Sequence, residues 1–204
     1  MSGYPIVLDG DAIAAVVVGG GRVAERKARA LVASGASVRV VAVEISAGLR
    51  ELAASAPRCT LEERAYEAGD LAEATLVVAA TDNREVNAAV ADEARRRGKL
   101  VNVADAGEAG DFVTPAVHRC GDLLIAVTAG GVPAVAARVR DALAERFDHR
   151  YAGAVEELAE LRARMLASGD RAGWHRAVSS LVGDGFCGQV ESGALSEEIA
   201  RWRC

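Results

Sequence analysis

Cysteines are few in this chain and badly spaced for chemistry. The 204 residues hold four (Cys59, Cys120, Cys187 and Cys204), none as C-x-x-C and none beside a histidine at metal-ligand spacing. That argues against a disulfide framework and a structural zinc site, and fits a reducing, cytoplasmic setting. Basic residues are not in excess: 24 Lys and Arg against 29 Asp and Glu give a net charge of −5, with no basic stripe for a nucleic-acid face. Long apolar runs are missing too. The longest, residues 12–18, is far short of the ~20 residues that span a bilayer. The opening Met1-Ser2-Gly3-Tyr4-Pro5 has no basic segment running into an apolar one, so no secretory leader and no membrane partner are expected. The three histidines, His118, His149 and His175, are scattered and read as surface or packing residues.

The composition, 51% hydrophobic and 26% charged, is that of a globular protein of one or two domains. Residues 14–18 are apolar on both faces, the pattern of a buried parallel strand. Glycines follow at once, and residues 23–34 then repeat with helical period up to a Gly35 stop. Residues 38–43 form the next strand, completing a βαβ unit. The alternation continues with helix 49–54, strand 59–62, strand 76–80, helix 85–97 and strand 100–104. An edge strand is expected at residues 6–8 and a further strand at 123–128. From residue 134 to about 165 the chain favours helix, with a break near 149–153, and short helical segments follow. The expected fold is α/β, a Rossmann-type doubly wound parallel sheet, with a change of organisation after residues 114–115 and a helical C-terminal appendage.

Gly19-Gly20-Gly21-Arg22-Val23-Ala24 fits G-x-G-x-x-A. Gly19 permits the tight strand-to-helix turn, Gly21 removes a side chain where backbone must approach a pyrophosphate, and Ala24 lets the helix pack closely on the sheet. The helix start, with Arg22 and Val23, offers free amides to that phosphate. Val43 and Glu44 end the second strand about twenty residues on, where a carboxylate holds the adenosine ribose hydroxyls; an acid there favours NAD over NADP. Thr81-Asp82-Asn83 leaves strand 76–80 at the same edge. Thr81 is expected to touch the cofactor through its backbone, and Asp82 or Asn83 to cap the next helix. Asp105 leaves strand 100–104 into the same crevice and is a candidate general acid or base.

With these residues placed, the chain resembles the precorrin-2 dehydrogenase and sirohydrochlorin ferrochelatase family, which includes the N-terminal half of bacterial siroheme synthase. The resemblance rests on residues 16–31 with the Gly-Gly-Gly-Arg-Val-Ala-Glu-Arg-Lys block, 76–87, 101–105, Phe112-Val113-Thr114-Pro115, 121–127 and Gly130-Gly131. It implies oxidation of precorrin-2 to sirohydrochlorin by NAD⁺, followed in members with two activities by Fe²⁺ insertion. Asp105 falls on the family's essential aspartate, the proton acceptor in both steps. The resemblance also implies a homodimer, with residues 1–114 as the NAD-binding domain, 115–150 as the dimerisation segment and 151–204 as a tail over the tetrapyrrole cleft. Precorrin-2 carries eight carboxylates, and Arg138 is the residue chosen to meet one, with Arg22, Arg119 and Arg140 as further candidates. One departure stands out: Pro133 occupies the place of a family serine associated with the substrate and metal pocket. The alternatives are therefore a dehydrogenase without chelatase activity, or a non-catalytic NAD- or tetrapyrrole-binding regulator. The absence of Tyr-x-x-x-Lys counts against a short-chain oxidoreductase.

Overall fold

A computed structural model describes residues 3–104 and 109–202. The chain divides into two compact units, Met1–Thr114 and Pro115–Cys204.

In the first unit, β1 (Ala14–Val18), β2 (Ser37–Ala42), β3 (Cys59–Glu63), β4 (Leu76–Ala79) and β5 (Leu100–Val103) form one parallel sheet in the order β3-β2-β1-β4-β5. Helices α1 (Arg22–Ala33), α2 (Ala47–Ser55) and α3 (Arg84–Arg96) make the crossovers. Two apolar layers result. Val17, Val38, Val40 and Val78 pack with Ala24 and Ala28 of α1 and Leu49 of α2. Val16, Val18, Val77, Val101 and Val103 pack with Val90, Ala91 and Ala94 of α3. Strands covered on both faces must be apolar at every position, which explains the unbroken runs in β1 and β4. The same arrangement explains Ala24 and Ala28: both are fully buried, where a larger side chain would push α1 off the sheet.

Between β3 and β4, Asp70 holds the connection. Its two carboxylate oxygens accept from Arg64 at 2.7 and 2.9 Å, and one also accepts from the Glu67 N–H at 2.9 Å. Arg64 holds its carboxyl down at about 2, against burial that works the other way. After β5, the Asp111 N–H donates to the Val101 carbonyl at 2.7 Å and the Asp111 carboxylate accepts from the Val101 N–H at 3.0 Å. Residues 110–112 thus run along the outer side of β5.

The second unit holds the hairpin β6 (Ala116–Cys120) and β7 (Leu123–Val127), then α4 (Pro133–Arg146), α5 (His149–Ala167), α6 (Arg171–Leu181), α7 (Phe186–Ser192) and α8 (Ala194–Arg201). Its core gathers Tyr151, Leu161, Leu181, Leu195 and Ile199. His118 bonds the Phe147 carbonyl at 2.7 Å, a packing role, while His149 and His175 are exposed.

Two expectations need correction. Residues 6–8 form no strand: Ile6, Val7 and Leu8 are exposed and make no ladder, so an apolar triplet without a partner strand stays irregular. Residues 116–120, not singled out in the sequence, pair with β7 through the two-residue turn Gly121-Asp122, with Gly121 at φ +56°.

Candidate functional site

The order of strands reverses between β1 and β4, so a crevice opens outside their carboxyl ends, where doubly wound sheets bind ligands. The glycine loop lies there. Gly19 has φ +128°, and a Cβ on it would meet the Ala80 carbonyl oxygen at 2.3 Å. This position demands glycine both for its backbone conformation and for the close approach of the β4 exit. Gly21 is the N-cap of α1 and has no side-chain cap. A Cβ built there meets nothing within 4 Å, so Gly21 faces open space. The first helical bond runs from the Glu25 N–H to the Gly21 carbonyl at 2.9 Å. The amides of Arg22, Val23 and Ala24 precede that bond, and an uncapped helix start directs such donors, with its positive dipole end, at an anion. The Arg22 side chain is exposed, makes no hydrogen bond among the described residues and acts on Glu25 only through its charge; Val23 is half-buried against the α1 face of the sheet.

Val43 and Glu44 follow β2 at the same edge and both are exposed, Val43 strongly so at 69%. An exposed carboxylate beside an apolar surface, one strand from the glycine loop, suits a ribose and its attached base. Free amides at Arg22 and Val23, open space at Gly21 and an acid at Glu44 together fit a dinucleotide.

Thr81 is less free than expected. Its N–H donates to Asn87 Oδ1 at 3.1 Å and its carbonyl accepts from Asn87 Nδ2 at 2.9 Å, so both backbone groups already have partners. Its hydroxyl lies 2.7 Å from Asn87 Oδ1 and 2.9 Å from the Asn83 carbonyl. The helix cap is Asn83, whose Oδ1 accepts from the Glu85 and Val86 amides at 2.8 and 3.2 Å; Asp82 makes no such bond. Asn87 is the residue that sequence reasoning missed. It lies one turn into α3 and is 8% exposed; a buried amide in an otherwise amphipathic helix is the signal that could have marked it.

Asp105 lies outside the described residues. On one side of it, the Ala104 N–H donates to the Ala79 carbonyl at 2.8 Å. On the other, Asn102 Nδ2 donates to the Phe112 carbonyl at 2.9 Å, and Lys27 of α1 donates to the Thr114 hydroxyl at 2.5 Å. Burial pushes the Lys27 ammonium down from its ordinary value, with Arg26 adding to the effect. In the second unit, Arg138 is exposed on α4 without a partner among the described residues, Arg140 is paired with Asp141, and Pro133 opens α4.

This geometry defines a Rossmann-type dinucleotide-binding domain. The family described as "Putative NAD(P)-binding" matches residues 6–116. Siroheme synthase of Chromobacterium violaceum is 45% identical over 141 residues, covering 69% of this chain and 30% of that protein. Siroheme synthase of Methylococcus capsulatus is 38% identical over 166 residues, covering 81% and 35% respectively. The chain spans about a third of the length of these curated relatives. A solved structure titled "SirC, precorrin-2 dehydrogenase" superposes with a TM-score of 0.77 at 24% identity, covering 97% of this chain and 99% of that one, and shares its fold. The chain belongs to the NAD(P)-binding family, among the relatives of siroheme synthase that its glycine block and residues 112–115 resemble.

Proposed function

We propose that this chain is a cytoplasmic dehydrogenase that oxidises precorrin-2 to sirohydrochlorin, with NAD⁺ reduced to NADH and one proton released. The observation that carries the proposal is the uncapped glycine loop at the switch point of the sheet, in a chain similar to siroheme synthases over most of its length. When bound, NAD⁺ supplies the hydride acceptor. The amides of Arg22 and Val23 hold the pyrophosphate against Gly21, Glu44 accepts from the ribose hydroxyls, and Val43 lies under the adenosine half. Thr81, fixed by Asn87, shapes the crevice wall without donating its backbone. Asp105 takes the proton that leaves the macrocycle, and Arg138 pairs with one of its carboxylates.

The protein acts as a homodimer in this proposal. Val117 on the hairpin and Val132, Val135 and Val139 at and along α4 are exposed at 41–51%, an apolar surface that a second copy would cover. Fe²⁺ insertion into sirohydrochlorin is the further activity, with Fe²⁺ as substrate and Asp105 as acceptor of pyrrole protons. Pro133 favours a second reading, dehydrogenation alone, because the α4 start then offers no hydroxyl where the family carries serine.

An anaerobic assay with precorrin-2 and NAD⁺, followed by Fe²⁺, tests both. NADH together with the sirohydrochlorin spectrum is the expected result, and the iron step separates one activity from two. Asp105→Ala should bind NAD⁺ normally and lose dehydrogenation by at least about a hundredfold, the usual contribution of a positioned acid or base. Normal turnover in that variant would remove Asp105 from the mechanism.

A further inference from the structure

The fingerprint G-x-G-x-x-A leaves its second position free, and Gly20 occupies it. The structure gives this residue a demand of its own. A Cβ on Gly20 would stand 1.7 Å from the carbonyl oxygen of Glu44 and 3.0 Å from the Ala42 side chain. The φ of Gly20 is not in the left-handed region, so the requirement is one of space alone. The chain after β2 wraps around this gap. Two residues beyond Glu44, the Ser46 N–H donates to the Gly20 carbonyl at 3.0 Å. Between them Ile45 is buried in the α1-side core.

Ser46 ties the same turn to the dinucleotide-facing helix. Its hydroxyl donates to Glu25 Oε2 at 3.0 Å and accepts from the Leu49 N–H at 3.2 Å, capping α2. Glu25 stands in the first turn of α1 and is held by Arg29 at 3.0 Å, which also donates to the Gly48 carbonyl. The Arg29 bond, reinforced by Ser46, holds the Glu25 carboxyl below its ordinary value. Glycine loop, α1 and the β2 exit therefore close into one ring of contacts, with the Glu44 peptide resting where the Gly20 side chain is missing.

We infer that Gly20 and Ser46 are positioning residues that set the place of Glu44 against the glycine loop and so fix the preference for NAD⁺ over NADP⁺. This inference rests on the proposed binding of a dinucleotide with Glu44 at the ribose. A carboxylate discriminates against a 2′-phosphate by repulsion and rewards a 2′-hydroxyl by accepting its hydrogen, and both effects need that carboxylate within hydrogen-bond distance. A methyl group at Gly20 would move the Glu44 peptide by more than this tolerance.

The test is calorimetric titration of the full chain with NAD⁺ and NADP⁺. In Gly20→Ala, affinity for NAD⁺ should fall about 10- to 100-fold, the scale of a lost hydrogen bond to a charged group, while affinity for NADP⁺ holds or rises as the repulsion of its 2′-phosphate is relieved. Ser46→Ala keeps the backbone bond to Gly20 but removes the hydroxyl that ties the β2 exit to Glu25, which Arg29 still holds, and should reduce the NAD⁺ preference by about three- to tenfold. A destabilised but otherwise intact site would weaken both dinucleotides together, so the ratio separates positioning from general damage. Should Gly20→Ala fail to fold, Ser46→Ala decides. An unchanged ratio in the folded variants overturns the inference while leaving dinucleotide binding intact. Wild-type protein that binds neither dinucleotide overturns the binding proposal, and this inference with it.

Discussion

Truncating Asn87 should loosen the β4 exit. In Asn87→Ala, the Thr81 N–H and carbonyl lose partners at 3.1 and 2.9 Å, while the Thr81 hydroxyl keeps an alternative acceptor in the Asn83 carbonyl at 2.9 Å. Two hydrogen bonds thus go without replacement. At about 1 kcal/mol each, with up to about 1 kcal/mol more for leaving half-buried backbone groups unpaired, the loss should be about 2–3 kcal/mol. That is a large fraction of the ~5–15 kcal/mol that holds a typical domain folded. Urea denaturation followed by far-ultraviolet circular dichroism would measure it. Native-state hydrogen exchange gives the local readout: the Thr81 amide, protected in the wild type, should exchange faster in the variant. A loss below about 0.5 kcal/mol with the Thr81 amide still protected would show that the amide network does not hold the loop.

Two further outcomes follow from the geometry. Gly21→Ala should fold with stability unchanged or raised by up to about 1 kcal/mol, since its Cβ meets nothing and its φ of −87° suits alanine, yet NAD⁺ affinity should drop steeply; thermal melting and calorimetry on the same sample check this, and full affinity would mean that pyrophosphate does not approach Gly21. Asp70 titrates at about 2 in the folded chain against an ordinary 3.8, so its contribution, on the order of 1–2 kcal/mol, is present above pH ~4 and lost as pH falls towards 2; Asp70→Asn should flatten the pH dependence of the urea midpoint over that range, and an unaltered slope would contradict the pairing with Arg64.

The parallel sheet was legible because each of β1, β4 and most of β2 is covered on both faces and therefore written almost wholly in valine and alanine. Helix α1 was legible for the complementary reason: one face is alanine and leucine, the other charged. The hairpin strand Ala116–Cys120 was not, because its exposed Val117 and Arg119 and half-buried His118 blur the apolar alternation. Gly121-Asp122 was the available sign, a two-residue turn between pairing segments. In the site, Gly19 and Gly21 could be read from the motif, since their reasons are local. Gly20 could not, since its partner Glu44 comes beside it only when β1 and β2 are laid side by side, whereas Asn87 and the closing of Thr81 lie within one strand-to-helix connection and were marked only by an amide in an otherwise amphipathic helix. Asn83 rather than Asp82 as the cap is a shift of one position, the scale on which helix starts are set by geometry more than by composition.

The run of residues 110–112 beside β5 has a bearing on solubility. A parallel sheet ends in two strands that each expose a row of unpaired amides and carbonyls, and such rows recruit other chains. At β5, the Val101 N–H and carbonyl are both taken by Asp111, and a Cβ on Gly110 would stand only 3.0 Å from the Val101 oxygen, so Val101 offers no free backbone group to a foreign strand. At β3, the opposite border, the carboxylates are turned to the chain's own arginines, Glu62 to Arg39 and Arg64 and Glu63 to Arg50. The chain thus covers the β5 border at Val101 with its own backbone. Shortening the segment after β5 would create a sticky edge long before it disturbed the core.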